Sequence, residues 1–240
     1  NDHTWCSWLR SPEPFDEIAY HTWDQLAVIG PDLERGFEKV FDLAPYRYRM
    51  VRGFDFYRFT RETLRAAPAV DFLRGKVERV VDAPDHAEVH VNAQTYTADW
   101  VFDSRYDAAN YRPLTGRYHY LIQHFLGWEI ETPIPAFDPH VPRMFDFRTP
   151  QHNAMRFIYV LPYSPHRALV EYTLFSPTLL PQAEYEAALR SYVADVLGLT
   201  DYRIVDEEQD LIPMTEHPCA RRAGRRVMNG VRLCVLAVSL

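Results

Sequence analysis

Glycine is scarce in this sequence. The 240 residues include nine glycines, which is below the usual share of about 7%. No G-x-G-x-x-G or phosphate-loop pattern occurs, and those patterns are the ones that set a nucleotide phosphate on the N-terminus of a helix. The sequence therefore carries no signature of a dinucleotide site.

Cysteine is also rare. Cys6, Cys219 and Cys234 are odd in number and far apart, and none belongs to a C-x-x-C or Cys/His pairing. This spacing indicates neither a disulfide framework nor a zinc site. We therefore expect a reducing, cytoplasmic environment.

Two hydrolase classes lack their motifs. There is no G-x-S-x-G elbow, which argues against a Ser/His/Asp hydrolase. We predict no metal site, because no helical H-x-x-x-H or H-E-x-x-H pair is formed by His3, His21, His119 or His124.

Long apolar runs and a basic stripe are both missing. No stretch reaches the roughly 18 consecutive apolar residues of a spanning helix, and the given sequence does not open with the basic-then-apolar pattern of a signal peptide. The net charge is −7, with both signs mixed along the sequence, so we predict no nucleic-acid partner. We therefore expect either a soluble protein or a protein bound to a membrane surface.

Alternating types of element predict an α+β or α/β chain. Hydrophobic spacing predicts four helices, at about 15–27, 31–43, 56–67 and 181–198. Alternation predicts strands at about 76–81, 88–91, 100–102 and 118–132, the last with a bulge or bend at Gly127. We expect a hairpin over 157–176, joined through Ser164, Pro165 and His166.

One acid interrupts the second arm of that hairpin. In LVEYTLFS, Glu171 shares a strand face with Leu169, Thr173 and Phe175. The acid would either point to solvent from an edge, or pair with an arginine, or be closed off from water. In the last case burial would raise its pKa and leave a general acid near neutral pH.

Other polar residues leave two interpretations open. Glu129 and Glu131 share a strand face beside the indole of Trp128, either as an acid pair or as a solvated surface. Asp103, Ser104 and Arg105 follow an apolar strand. They form either a polar loop that contacts a ligand at the end of the strand or a plain turn. The many aromatic residues suit either an ordinary core or a tunnel for an extended apolar ligand.

Several segments together resemble one enzyme family. In chain order, these segments are NDHTWCSW, YRMVRGFDFY, VFDSR, QHFLGWEIET, FDFRTPQ, RFIYVLPYSPHRALVEYTLFS and IPMT. They are similar to the flavin-dependent lycopene β-cyclases of bacteria, over residues 1 to about 229.

The resemblance implies a fold. The expectation is a fragment of a glutathione-reductase-like FAD-binding fold with a β-sheet substrate domain, lacking the N-terminal βαβ unit that bears G-x-G-x-x-G. It implies a partial FAD-binding, Rossmann-like domain at 1–110, a substrate-binding sheet domain at 111–215, and a truncated or aberrant return to the FAD domain at 216–240. The start NDHTWC without Met and the ending RLCVLAVSL fit that expectation.

The resemblance also implies a reaction and its residues. It assigns the catalytic acid to Glu171, where the family's acidic motif falls on LVEYT, with Tyr172 in place of the second acid. The reaction would be a redox-neutral cyclisation of the ψ ends of lycopene, formally an isomerase or intramolecular lyase. Reduced FAD would be required, with NAD(P)H as reductant.

Contacts to the ligands follow from the same resemblance. FAD contacts are predicted for Arg52, Asp103 and Arg105, and lycopene contacts for Trp128, Glu129 and Phe175. Because lycopene dissolves in bilayers, we expect a cytoplasmic protein peripheral to the membrane. Two alternatives stay open: an FAD-dependent monooxygenase-like oxidoreductase, and an inactive carotenoid-binding fragment.

Overall fold

A computed structural model describes residues 3–31, 37–105, 118–216 and 222–229. The chain divides into two compact units: Asn1–Pro68 with Ile122–Leu211, and Ala69–Leu121 with Ile212–Leu240. The first unit thus joins two separate stretches of sequence. This division differs from the predicted boundaries at 110 and 215, because the N-terminal strands belong with the large sheet.

The first unit contains most of the regular structure. Its strands before the central insertion are β1 (Thr4–Leu9), β2 (His21–Trp23), β3 (Gln25–Ile29), β4 (Glu38–Asp42) and β5 (Arg47–Arg52). A 3₁₀ turn covers Asp16–Ile18, and helix α1 covers Gly53–Ala66. The prediction of a helix that ends before Pro68 is confirmed.

A seven-stranded sheet forms the centre of this unit. Its later strands are β10 (Tyr120–Glu131), β11 (Arg143–Asp146), β12 (Met155–Ser164), β13 (Arg167–Ser176) and β14 (Arg203–Thr215). The strand order is β14-β10-β13-β12-β11-β3-β4. Strands β12 and β13 form the predicted hairpin, and β11 pairs in parallel with β3.

Each face of the large sheet is covered by a different layer. One face packs on helix α2 (Gln182–Ser191) and a following π-helical turn at Tyr192–Val196, with Leu126, Trp128 and Tyr172 at its core. Gly198 follows at a φ of +68°, a conformation that glycine adopts without strain. The predicted amphipathic helix is confirmed.

The opposite face packs on a small sheet of order β1-β5-β2. Trp23, Tyr48 and Met50 from the small sheet meet Leu161 and Leu169 from the large one. Burying large apolar side chains from two sheets is the main stabilising contribution to such a sandwich. Side chains on this face of β13 therefore lie between two sheets.

The second unit holds short strands. A meander of β6 (Val77–Asp82), β7 (Ala87–Val91) and β8 (Gln94–Ala98) forms one sheet. Strand β9 (Val101–Asp103) pairs in parallel with β15 (Val227–Asn229). Three of these strands, β6, β7 and β9, lie where the alternation predicted them, and β8 and β15 were missed.

Two helix predictions are wrong. Residues 15–27 form the 3₁₀ turn, β2 and most of β3, and residues 38–42 of the second predicted helix form β4; residues 32–36 lie outside the described part. β3 pairs with β11 and β4. These tertiary pairings outweigh a helical spacing that was a weak local signal.

No helix in the described ranges has both the length and the apolar character that crossing a membrane requires.

Candidate functional site

Glu171 lies at the middle of a central strand. On β13 it is paired with Gly127 of β10 and with Tyr159 of β12. It faces the small sheet and is 8% exposed. Of the three interpretations of this acid, the closed-off one is correct, because a central strand between two sheets offers no solvent edge.

A second acid, Glu208, meets Glu171. Glu208 lies on β14, is 7% exposed, and accepts a hydrogen bond of 2.8 Å from Thr4 Oγ1. The side chains of Glu171 and Glu208 both lie against Gly127, and each carboxyl group influences the pKa of the other. On its own strand, Glu171 Oε1 accepts a hydrogen bond of 2.6 Å from Thr173 Oγ1. The site is therefore a buried carboxyl pair.

Gly127 is what lets these two acids meet. Strand β10 lies between β13 and β14, so a side chain at position 127 would stand between the two glutamates. A Cβ added there would lie 3.1 Å from Glu208 Cγ and 3.3 Å from Glu171 Cβ. The predicted bulge at Gly127 is wrong, since the β10–β13 register is continuous. The glycine instead serves a close approach of side chains.

Burial dominates the electrostatics of the pair. Loss of solvent raises the pKa of Glu171 well above its ordinary value, and the neighbouring Glu208 raises it further. Thr173 opposes these effects by hydrogen bonding. Burial also raises the pKa of Glu208, whereas its hydrogen bonds with Thr4 and Glu171 lower it. Both carboxyl groups therefore hold a proton to higher pH than an exposed glutamate would, and the effect is larger for Glu171.

The groups around the pair are neutral. Burial raises the pKa of the Cys6 thiol to about 12. It also raises the pKa of the Tyr48 hydroxyl and of the Tyr159 hydroxyl. These three side chains keep their protons at physiological pH, so they bring no negative charge to Glu171. The environment favours a protonated carboxylic acid.

A small cavity borders the pair on the Glu208 side. Its volume is about 10 Å³, which is room for about one water molecule. The lining residues are Thr4, Met50, Arg52, Glu129, Tyr163, Leu169, Asp206, Glu207 and Glu208. Glu208 thus borders the cavity, whereas Glu171 does not line it.

The predicted lycopene contacts lie on different faces of the sheet. Phe175 shares the face of Glu171, and Glu129 shares it too and forms an ion pair with Arg167. Trp128 points to the opposite face, where its Nε1 donates a 3.0 Å hydrogen bond to Glu207. The structure thus brings Glu129 and Phe175, but not Trp128, to the face of Glu171.

The proposed acid pair of Glu129 and Glu131 does not form. Glu131 pairs instead with Arg203, at 2.9 Å between Oε2 and Nη2. Each of these two acids is thus neutralised by its own arginine, since Glu129 pairs with Arg167. The acid pair of this protein is Glu171 with Glu208.

The predicted cofactor residues fall in both units. Arg52 belongs to the first unit, where its Nε donates a 2.6 Å hydrogen bond to Asp55 and its guanidinium lies 4.0 Å from the centre of the Tyr20 ring. Asp103 and Arg105 belong to the second unit, and Arg105 donates two hydrogen bonds, of 2.9 and 2.8 Å, to Asp103. In each unit, the predicted cofactor residues are thus held by neighbours from the same unit.

Glu208 was missed at the sequence level. It sits in DEEQD, a run of acids that reads as a solvated segment. Its partners Thr4 and Glu171 are 204 and 37 residues away, so no local pattern connects them. The usable signal was Gly127 in the middle of a strand, because such a glycine often marks close approach.

Comparison with known proteins adds a family to this geometry. The model of the family described as "Lycopene cyclase protein" matches residues 1–232. The chain belongs to the lycopene cyclase family. One curated relative, the lycopene beta-cyclase of Paracoccus sp. (strain N81106 / MBIC 01143), is 46% identical over 54 residues, covering 22% of this chain and 14% of the relative.

Solved structures share the fold at low identity. A geranylgeranyl bacteriochlorophyll reductase-like protein from Thermoplasma acidophilum has a TM-score of 0.55 and 14% identity, covering 82% of this chain and 51% of its own. Halogenase PltM in complex with phloroglucinol and FAD has a TM-score of 0.55 and 12% identity, with coverages of 87% and 47%. The chain spans about half the length of these proteins. The fold class, a mixed α/β fold of the FAD-binding kind, is confirmed.

Adding a methyl group at Gly127 should cost stability. In a Gly127→Ala variant the new Cβ would also lie 3.0 Å from Leu169 Cδ1. Overpacking of this kind typically destabilises by about 1–3 kcal/mol. Urea denaturation of the variant measures the loss, and an unchanged free energy of unfolding would show that the contact around Gly127 is not tight.

Proposed function

We propose that this chain carries the catalytic acid of a lycopene β-cyclase. The observation that supports this most is a buried Glu171, whose pKa burial raises, in a chain of the lycopene cyclase family. An acid kept neutral by its surroundings is what protonation of a hydrocarbon requires. In this proposal the reaction is a net isomerisation that an intramolecular lyase would perform.

The proton inventory of the reaction is simple. Glu171 gives its proton to the terminal double bond of the ψ end, which leaves a tertiary cation. An internal double bond attacks that cation and closes a six-membered ring. Loss of one proton from the ring then forms the β-ionone double bond. One proton enters the hydrocarbon and one leaves, so substrate and product are isomers.

The surroundings of Glu171 suit a cationic intermediate. Water would trap such a cation, and the site is closed between two sheets. After proton transfer, the carboxylates of Glu171 and Glu208 supply negative charge, and the rings of Tyr48 and Tyr159 supply polarisable faces. The cavity beside the pair holds about one water. Lycopene is far larger than this cavity. In this proposal, side chains of the cavity wall therefore move aside when lycopene binds.

Arg52 fits an anionic cofactor. It stands between β5 and α1, and its side chain is 35% exposed while one edge bonds Asp55, so N–H donors remain for a phosphate or hydroxyl. Asp103 and Arg105 satisfy each other and stay partly exposed; we keep them as proposed FAD contacts. FAD, in its reduced form and with NAD(P)H as reductant, would supply negative charge to the site.

The proposed substrate also sets the location. Lycopene partitions into bilayers, so the protein would work in the cytoplasm at a membrane surface. The sheet region 111–215, with Glu129 and Phe175 on the face of Glu171, is the proposed substrate-binding part. Trp128 would act there only through packing, since it lies in the core on the other face.

Pigment analysis tests the proposal. The protein is expressed in a host that accumulates lycopene, and the carotenoids are separated by chromatography. We expect carotenoids with β rings, without stoichiometric loss of NAD(P)H. Oxygenated products with equal NAD(P)H consumption would instead indicate a monooxygenase, and lycopene bound but unchanged would indicate a carotenoid-binding protein. Either result would reject the cyclase assignment.

A further inference from the structure

We propose that Glu208 is the proton-delivery residue of Glu171: it holds the proton of Glu171 in place and returns a proton to it after each turnover. The pair itself is inferred from structure alone. Its part in turnover rests on the proposed function. Glu208 is a positioning residue in this account, because it acts through Glu171.

The sheet places the two acids for this role. They come from β13 and β14, which are separated by β10, and the missing side chain at Gly127 opens the gap between them. Continuous pairing of β10 with β13 fixes Glu171 directly opposite Gly127. Both side chains lie against the space left by Gly127, and each carboxyl group influences the pKa of the other, so a proton can pass between them. Because the strands and Gly127 bring these two acids together, we infer that the contact between them has a role in the reaction.

Glu208 also borders the cavity beside the pair. It lines the one-water cavity, whereas Glu171 is not among the residues that line it. Thr4 Oγ1 donates to Glu208 Oε2 and so holds the Glu208 carboxylate in position. A proton that arrives from the cavity therefore meets Glu208 first.

The charged and titratable groups around the pair come from several strands. The thiol of Cys6 and the hydroxyls of Tyr48 and Tyr159 face Glu171. Around Glu208, the titratable groups are His3, Tyr163, Arg52, Glu129, Asp206 and Glu207. Cys6, Tyr48, Tyr159 and Tyr163 have raised pKa values and stay neutral. Among the groups of the described residues that face Glu171, Glu208 is thus the carboxyl group that can exchange a proton with it.

The proposed step is balanced. When Glu171 has protonated the hydrocarbon, two adjacent carboxylates remain, and their repulsion raises the proton affinity of the pair. Glu208 takes up a proton that solvent delivers through the cavity and passes it to Glu171. The proton lost by the ring cation returns to solvent. No electron moves, and the pair again holds one proton.

Infrared titration of the intact protein tests the pair. The carbonyl band of a protonated buried carboxyl is assigned to Glu171 by its loss in Glu171→Gln, and is then followed with rising pH. In Glu208→Gln, which keeps the shape but removes the charge, we expect Glu171 to lose its proton at a pH lower by about one unit or more. Glu208→Asp should keep most of the wild-type value, because it keeps the charge.

A surface variant serves as the control for the infrared titration. Glu186 is an exposed acid on α2 that pairs with Arg190, and its replacement in Glu186→Gln should leave the titration of Glu171 unchanged. An unchanged titration in Glu208→Gln would overturn the proposal. If circular dichroism shows that Glu208→Gln does not fold, Gly127→Ala answers the same question, because its new Cβ crowds the contact between the two acids, and a midpoint equal to wild type in that variant would also overturn the proposal.

A second readout separates this proposal from the cyclase assignment. The alkaline limb of the pH–rate profile for ring formation should move to lower pH in Glu208→Gln by the same amount as the infrared titration. The infrared result requires no lycopene, so it stands even if the protein forms no ring. Conversely, ring formation at the wild-type rate and pH profile in Glu208→Gln would sink the delivery role and leave the assignment of Glu171 intact.

Discussion

Replacing Glu171 with glutamine is expected to lower ring formation by about 10²- to 10⁴-fold, the usual contribution of a general acid. Glutamine keeps the shape of the side chain and still accepts the hydrogen bond from Thr173, but its amide is no acid. The measurement is the ratio of cyclised carotenoid to lycopene in the host, normalised to protein. Glu186→Gln is the matched control on the surface of α2.

The same variant is expected to change how the stability of the protein depends on pH. The pKa of Glu171 is raised in the folded protein, so the unfolded chain releases this proton at lower pH than the folded one. Stability therefore falls as the pH rises from the ordinary glutamate value, near 4.5, through the folded pKa. Glu171→Gln removes this contribution, so its free energy of unfolding should fall less over that window. A parallel decline in both proteins would contradict a raised pKa.

Replacing Asp146 with asparagine is expected to destabilise the protein by about 3–5 kcal/mol. Asp146 is completely buried on β11 and accepts two hydrogen bonds from the Arg148 side chain, at 2.9 and 2.6 Å. The Tyr192 hydroxyl donates a third, at 2.5 Å, which ties the helical layer to the sheet. Without the carboxylate, the mostly buried Arg148 cation has lost its partner.

Urea denaturation measures that loss against a surface standard. Glu186→Gln breaks the exposed pair with Arg190, whose atoms lie 3.2 Å apart, and should change the free energy of unfolding by no more than about 0.5 kcal/mol. A loss of 3–5 kcal/mol is a large part of the roughly 5–15 kcal/mol of a typical domain. If Asp146→Asn lost no more than the control, the network would contribute nothing measurable.

Local patterns in the sequence were sufficient for the elements nearest Glu171. The hairpin of β12 and β13 has strong alternation on both arms and a short polar turn, so its location and the face of Glu171 could be predicted. The helix from Gln182 ends at a glycine with positive φ, which is a clear stop signal. Both predictions depend on residues close together in the chain.

The remaining parts depend on partners far apart in the chain. The segments of β2, β3 and β4 have helical spacing, and their strand conformation comes from pairing with β5, β11 and each other. Glu208 and Thr4 meet across most of the sequence. Gly127 looked like a bend because its true reason, the contact of two acids on other strands, cannot be read from its neighbours.

Carbon-13 NMR of the intact protein, labelled at the glutamate side-chain carboxyl carbon, tests most directly whether a proton resides on Glu171 at neutral pH. One carboxyl signal should have the chemical shift of a protonated acid at pH 7, and that signal should be missing in Glu171→Gln. Spectra at pH 7 in which every glutamate has the shift of a carboxylate would contradict the buried acid on which the account depends.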